Sequence, residues 1–132
     1  MDKLAAKLTY KASRRPIGVY CIRNLVNDKV FIGSSLDLPS MFNQSRFQLI
    51  AGSHSNKELE ADWKRYGTGK FEFEVLEEIV QDLDVGHNYA TDLEALEDLW
   101  LEKLSPYGER GYNVPKNTRD DKLRMIASNN NI

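Results

Sequence analysis

The stretch "GVYCIRNLVNDKVFIGSS", residues 18–35, decides the fold. Two short apolar runs, Ile17–Arg23 and Lys29–Ser34, flank a polar turn at Asn24-Leu25-Val26-Asn27-Asp28. Runs of this length and composition around such a turn predict an antiparallel hairpin. Each run also carries a glycine and an aromatic residue in a set order: Gly18-Val19-Tyr20, then Phe31-Ile32-Gly33.

The pattern changes period on the C-terminal side. Leu38, Met41, Phe42, Leu49 and Ile50 predict a helix to about Ala51, with Gly52 as its stop. A second helix opens at Ser55, which stands at capping-box spacing from Glu58, and it leaves at Gly67. "KFEFEVLEEIV", residues 70–80, alternates Phe71, Phe73 and Val75 with Glu72 and Glu74, as a half-buried third strand does. After a polar loop, a third helix covers about Asp92 to Lys103. The order β-β-α-α-β-α predicts one α+β domain over residues 16–114, a three-stranded antiparallel sheet flanked by helices. Residues 1–15, with Leu4, Ala5, Leu8 and Ala12, form a basic N-terminal segment with the spacing of a short helix, and residues 115–132 a basic to polar tail.

A length of 132 residues suits one domain with a modest core. No run approaches a membrane span, and the first residues lack the order of a secretory signal. The lone Cys21 permits no internal disulfide, which together with the missing signal gives a cytoplasmic expectation. The net charge of −2 hides segregation. Lys3, Lys7, Lys11, Arg14, Arg15, Arg23 and Lys29 outnumber Asp2 and Asp28 in residues 1–35, whereas residues 71–104 hold eleven acids against Lys103. The tail is basic again through Lys116, Arg119, Lys122 and Arg124. Basic chain ends on one side would make a surface for phosphates; an ordinary solvated surface with one acidic helix accounts for the same charges.

One carboxylate breaks its pattern. At 100° per residue, Leu93, Leu96, Trp100 and Leu104 share an arc of the third helix, with Glu94, Asp98 and Glu102 opposite. Glu97 falls inside the apolar arc. A buried carboxylate costs several kcal/mol without a partner or metal. Glu97 is therefore either an edge residue reaching solvent or a basic strand residue, or a metal ligand or acid-base group facing the sheet.

Gly-Val-Tyr, aromatic-Ile-Gly, a helical Glu before Trp100 and the closing Gly111-Tyr112-Asn113 together resemble the GIY-YIG endonuclease family, in order and spacing, from about Pro16 to Asn113. The resemblance extends to a divergent branch found beside or fused to bacterial transcriptional regulators. It implies a metal-dependent phosphodiesterase fold whose partner is nucleic acid, DNA in the first place. It further implies one Mg²⁺ or Mn²⁺ held by Glu97, Tyr20 as the motif tyrosine, Gly33 as the second motif glycine and Asn113 supporting the site beside the substrate. A hard ion favours carboxylate oxygen and neutralises developing phosphate charge.

The carry-over is incomplete. Phe31 stands where the motif has tyrosine, Met41 where the family's phosphate-binding arginine falls, and Ser45 where its histidine or tyrosine falls. Arg46 lies about 140° around the helix from Met41 and does not take over its geometry. Arg23 and His54 are the candidate substitutes for the lost cation and proton-transfer group. Met41 and Ser45 equally read as core stripe and neutral filler, His54 as support for a helix turn, Tyr20 as a core tyrosine, and Cys21 as a small strand residue. The sequence thus supports a nuclease-fold protein, divalent-metal-dependent if active, alongside a non-catalytic nucleic-acid-binding or protein-interaction module.

Overall fold

A computed structural model describes residues 15–81 and 86–115. The expected N-terminal helix and most of the tail lie outside the described residues. β1 (Gly18–Asn24), β2 (Val30–Ser35) and β3 (Phe71–Glu78) form an antiparallel sheet in the order β2-β1-β3. α1 (Leu38–Ala51) and α2 (Lys57–Tyr66) lie between the hairpin and β3 in sequence, and α3 (Tyr89–Leu104) follows the sheet. The predicted α+β fold and element order hold.

The sheet divides the core by strand alternation. Tyr20 and Ile22 of β1 pack with Leu38 and Leu49 of α1 and Leu59 and Trp63 of α2. Val19 and Cys21, their neighbours, join Ile32 of β2 and Leu93 and Leu101 of α3 on the opposite face. Cys21 fills this second core, as the sequence suggests, with burial as the main force pushing its thiol up to about 11. β3 carries one feature that alternation did not reveal. Between Val19 and Tyr20 of β1 its register shifts, so that Val19 faces Glu77 and Tyr20 faces Val75. The bulge presses the Glu77 carbonyl towards Gly18, where a Cβ would lie 2.2 Å from that oxygen. The first motif glycine is a steric requirement.

Local signals place the helices, with two corrections. Asp37 caps α1 through Ser40 N–H and Gly52 ends it in the left-handed conformation at φ 76°. Asn56, not Ser55, caps α2 by accepting from Leu59 N–H at 2.9 Å. Glu58 is thereby released from the expected capping box and pairs with Lys29. α3 begins at Tyr89, earlier than the expected Asp92, because Asn88 accepts from Ala90 N–H and caps it.

Candidate functional site

The site begins with a pair across the hairpin. Tyr20 stands directly opposite Gly33, and a Cβ built on Gly33 would lie 2.6 Å from the Tyr20 hydroxyl oxygen. The phenol therefore lies over β2 in the space that any side chain at position 33 would occupy. An aromatic ring covering a cross-strand glycine is a recurrent sheet device. Gly33 thus makes room for Tyr20, and that is how it serves the site.

α1 supplies the next layer, with Ser45 rather than Ile50 on its inner stripe. Leu38, Ser45 and Leu49 are buried, while Ile50 points to solvent at 63% exposure. The Ser45 hydroxyl hydrogen-bonds the Tyr20 phenol and lies 3.5 Å from the Met41 Sδ. Met41 and Ser45 thus occupy one face beside Tyr20, as their one-turn spacing requires. Arg46 instead stacks over the Phe73 ring at 4.8 Å.

Glu97 approaches from α3. One turn before it lies Leu93 and one turn after it Leu101, both buried, so Glu97 is nearer the centre of the inward arc than the sequence suggested. It is itself half-buried. Its charge is felt at Tyr20. Burial is the main force pushing the Tyr20 hydroxyl up to about 12; the Ser45 hydrogen bond opposes this and the Glu97 carboxylate adds to it. Tyr20 is consequently a neutral O–H at physiological pH, a donor rather than a base.

Asn113 fastens the closing loop at the same place. Its Oδ1 accepts from Ile32 N–H and its Nδ2 donates to Ile32 C=O, each at 2.8 Å. The amide mimics a paired strand residue on the outer edge of β2. The neighbouring Tyr112 N–H donates to Val30 C=O, and the Tyr112 hydroxyl donates to Asp62 at 2.7 Å while accepting from Asn24. Asn113 therefore acts on the site by positioning β2, with both ends of its amide already engaged. The sequence offered no separate signal for Asn24 and Asp62, which hold Tyr112 through pairings of distant residues.

His54 is buried beneath the α1–α2 connection. Its Nδ1 accepts from Asn56 N–H at 2.9 Å, which leaves the proton of the neutral ring on Nε2. Burial holds its pKa below the usual histidine value. The ring packs edge-on against Phe31, 5.7 Å between centroids, and Phe31 in turn packs against Tyr20 at 6.5 Å. Arg23 does not join this group. Alternation puts it on the α3 face, where Nε lies 3.5 Å from Glu74, so it does not take the place held by Met41.

Tyr20 with Ser45 thus lies on one face of the β1–β2 pair, Glu97 reaches it electrostatically from α3 on the other, and Asn113 holds the outer edge of β2. The chain is 30% identical over 104 residues to Intron-associated endonuclease 1 of Enterobacteria phage T4, a match covering 79% of this chain and 39% of that protein. It therefore spans about two fifths of that relative's length. Its fold is similar to a point mutant of the catalytic domain of intron endonuclease I-TevI, with a TM-score of 0.63, 29% identity, and 78% of this chain and 97% of that one covered. A second structure, of the catalytic domain of homing endonuclease I-TevI, gives a TM-score of 0.61 at 29% identity, covering 76% and 99%. No family model matches the chain. In motif order, sequence and fold, this chain is a homologue of the I-TevI catalytic domain and belongs to the GIY-YIG endonuclease family.

Proposed function

We propose that this chain is a cytoplasmic nuclease-fold protein that acts on nucleic acid, DNA in the first place, at the Gly33 edge of β2. The observation that carries the reading is that Tyr20, seated over Gly33, feels the charge of the half-buried Glu97 carboxylate on α3. Titratable groups that influence one another across a sheet in this way cluster at functional sites.

The donor set decides what metal would fit. Among the described residues no group of three or more His, Cys, Asp or Glu is placed to hold an ion. One carboxylate suits Mg²⁺ or Mn²⁺ that keeps several waters and takes its other oxygens from a phosphate. Glu97 would hold such an ion, brought in with the nucleic acid. When bound, the ion supplies Lewis-acid polarisation of a phosphoryl oxygen. Tyr20 contributes a neutral hydroxyl that orients a water or a phosphate oxygen, and Ser45 fixes that hydroxyl. His54, neutral with its proton on Nε2, offers a donor in reach of the same side of the sheet.

The Met41–Ser45 pair favours a second reading, in which nucleic acid is bound with little or no cleavage. An uncharged thioether stands where the resemblance puts a guanidinium, and losing one preorganised charge donor costs about 10²–10³ in rate.

Labelled single- and double-stranded DNA and RNA, incubated at low salt with Mg²⁺ or Mn²⁺ or with chelator, test the proposal. Metal-dependent cleavage by the wild type and its loss in Glu97→Ala is the expected outcome. Cleavage equal in the two proteins, or in neither, sinks catalysis at this site. Restoring the cation in Met41→Arg, with Ser45→His beside it, should raise the metal-dependent rate by about tenfold or more, within the range such donors supply. An unchanged rate in a folded double variant would show that these positions do not limit the chemistry.

A further inference from the structure

On the α3 face, at the turn end of the hairpin, lies a cavity of about 290 Å³ that the Tyr20 site does not use. Its polar lining comprises two guanidiniums, Arg23 and Arg110, two carboxylates, Asp28 and Glu109, and the Asn27 amide. Val30 and Leu104 supply aliphatic walls. We infer that this cavity is a nucleobase subsite and that guanine is the base it takes, an inference that rests on the nucleic-acid reading above.

The chemistry of the lining selects the ligand. A phosphate drawn to the two arginines would also meet two carboxylates, so a simple anion fits poorly. Guanine matches both signs: O6 and N7 accept on one edge, and its amino group donates on another. Arginine paired with O6 and N7 is the commonest specific base contact, and carboxylates accept from ring amino groups. The ring faces suit the aliphatic walls. The volume lies at the lower end of ligand sites, which suits a single base.

One further observation leaves the polar lining open to a ligand. Arg110, Asp28 and Glu109 are exposed and form no ion pair among the described residues, so their polar groups face solvent and can meet a ligand. The location fits as well. Val30 is three strand residues from Gly33, and Leu104 is seven helical residues from Glu97, about 10 Å in each case. A strand with a phosphate at the Gly33 edge can therefore set a nearby base in the cavity.

The test is a ¹⁵N-resolved NMR titration of the full chain with guanosine 5′-monophosphate, adenosine 5′-monophosphate and inorganic phosphate. The guanine nucleotide should shift the amides of Asn27, Asp28 and Arg110, with an apparent Kd about tenfold below that of the adenine nucleotide. Glu109→Gln should weaken guanine binding about tenfold, and Arg110→Ala should abolish it. Equal response to both nucleotides and to phosphate, tighter binding in Glu109→Gln, or no shift at these amides would each overturn the inference. Guanine binding by a chain that cuts nothing upholds this subsite while removing the catalytic reading; cleavage without guanine preference removes the subsite alone.

Discussion

Replacing Gly33 by alanine sets a methyl against the Tyr20 hydroxyl and ring, at separations that real Cβ atoms do not reach. The phenol must swing away, breaking its contact with Ser45 and its packing in the first core. Overpacking of this kind costs about 1–3 kcal/mol, and urea denaturation should read a loss in that range. A stability within experimental error of wild type would mean that Tyr20 does not occupy the space over Gly33. His54 makes a second prediction at this scale. Burial holds its pKa down in the fold, so below the ordinary value of 6.5 the unfolded chain takes up a proton that the folded chain resists. Its contribution is complete above that pH and is lost as pH falls through it towards the depressed folded value. Denaturation midpoints measured between pH 7 and 5 should fall less steeply in His54→Gln than in the wild type; parallel slopes would contradict the burial of a neutral ring. Glu97 stood out in the sequence because a carboxylate interrupts an apolar stripe, whereas Tyr20 and Gly33 stood out only through the motif they share with the family. The surroundings of Ser45 were not legible, since a serine among apolar residues is equally a tolerated filler. Only the fold shows its hydroxyl against Tyr20. The side of the sheet taken by Arg23 follows from strand alternation once the register is known, and the register is a tertiary fact.

At the scale of elements, the closing Gly111-Tyr112-Asn113 does for β2 what a fourth strand would do. Removing the amide in Asn113→Ala leaves the Ile32 N–H and C=O without these partners. A cost of about 1–3 kcal/mol is expected, with the Ile32 amide losing protection from hydrogen exchange well before the Ile22 amide. If Ile32 keeps its protection, the clamp is not what orders this edge. The helix starts show how far local rules reach. Gly52 ends α1 as the pattern indicated, with Asp37 as a cap that the pattern had not named, but α2 passed over Ser55 for Asn56 as its cap. Asn56 also donates from Nδ2 to the Tyr112 carbonyl at 2.7 Å. A long-range partner settled a choice that capping propensity left nearly even.

For the whole molecule, sheet and helix order was readable because period and turn chemistry agreed along the chain. The β3 bulge left only a lapse in alternation at Val75-Leu76, which the strand pattern alone does not tell from a strand end. The two cores meet only through the sheet, with the Tyr20 side chain on one face and α3 with Glu97 on the other. Their common point is β2, which takes packing from both faces of the sheet and holds the closing loop on its outer edge. The clamp on that edge also sets an order in time. Ile32 and Asn113 are 81 positions apart. During synthesis the hairpin emerges long before the residue that locks it, so the phenol, the carboxylate and the strand edge come into register only when nearly all of the domain has been made. A product that stops short would carry every motif but the last, and would leave this edge unlocked.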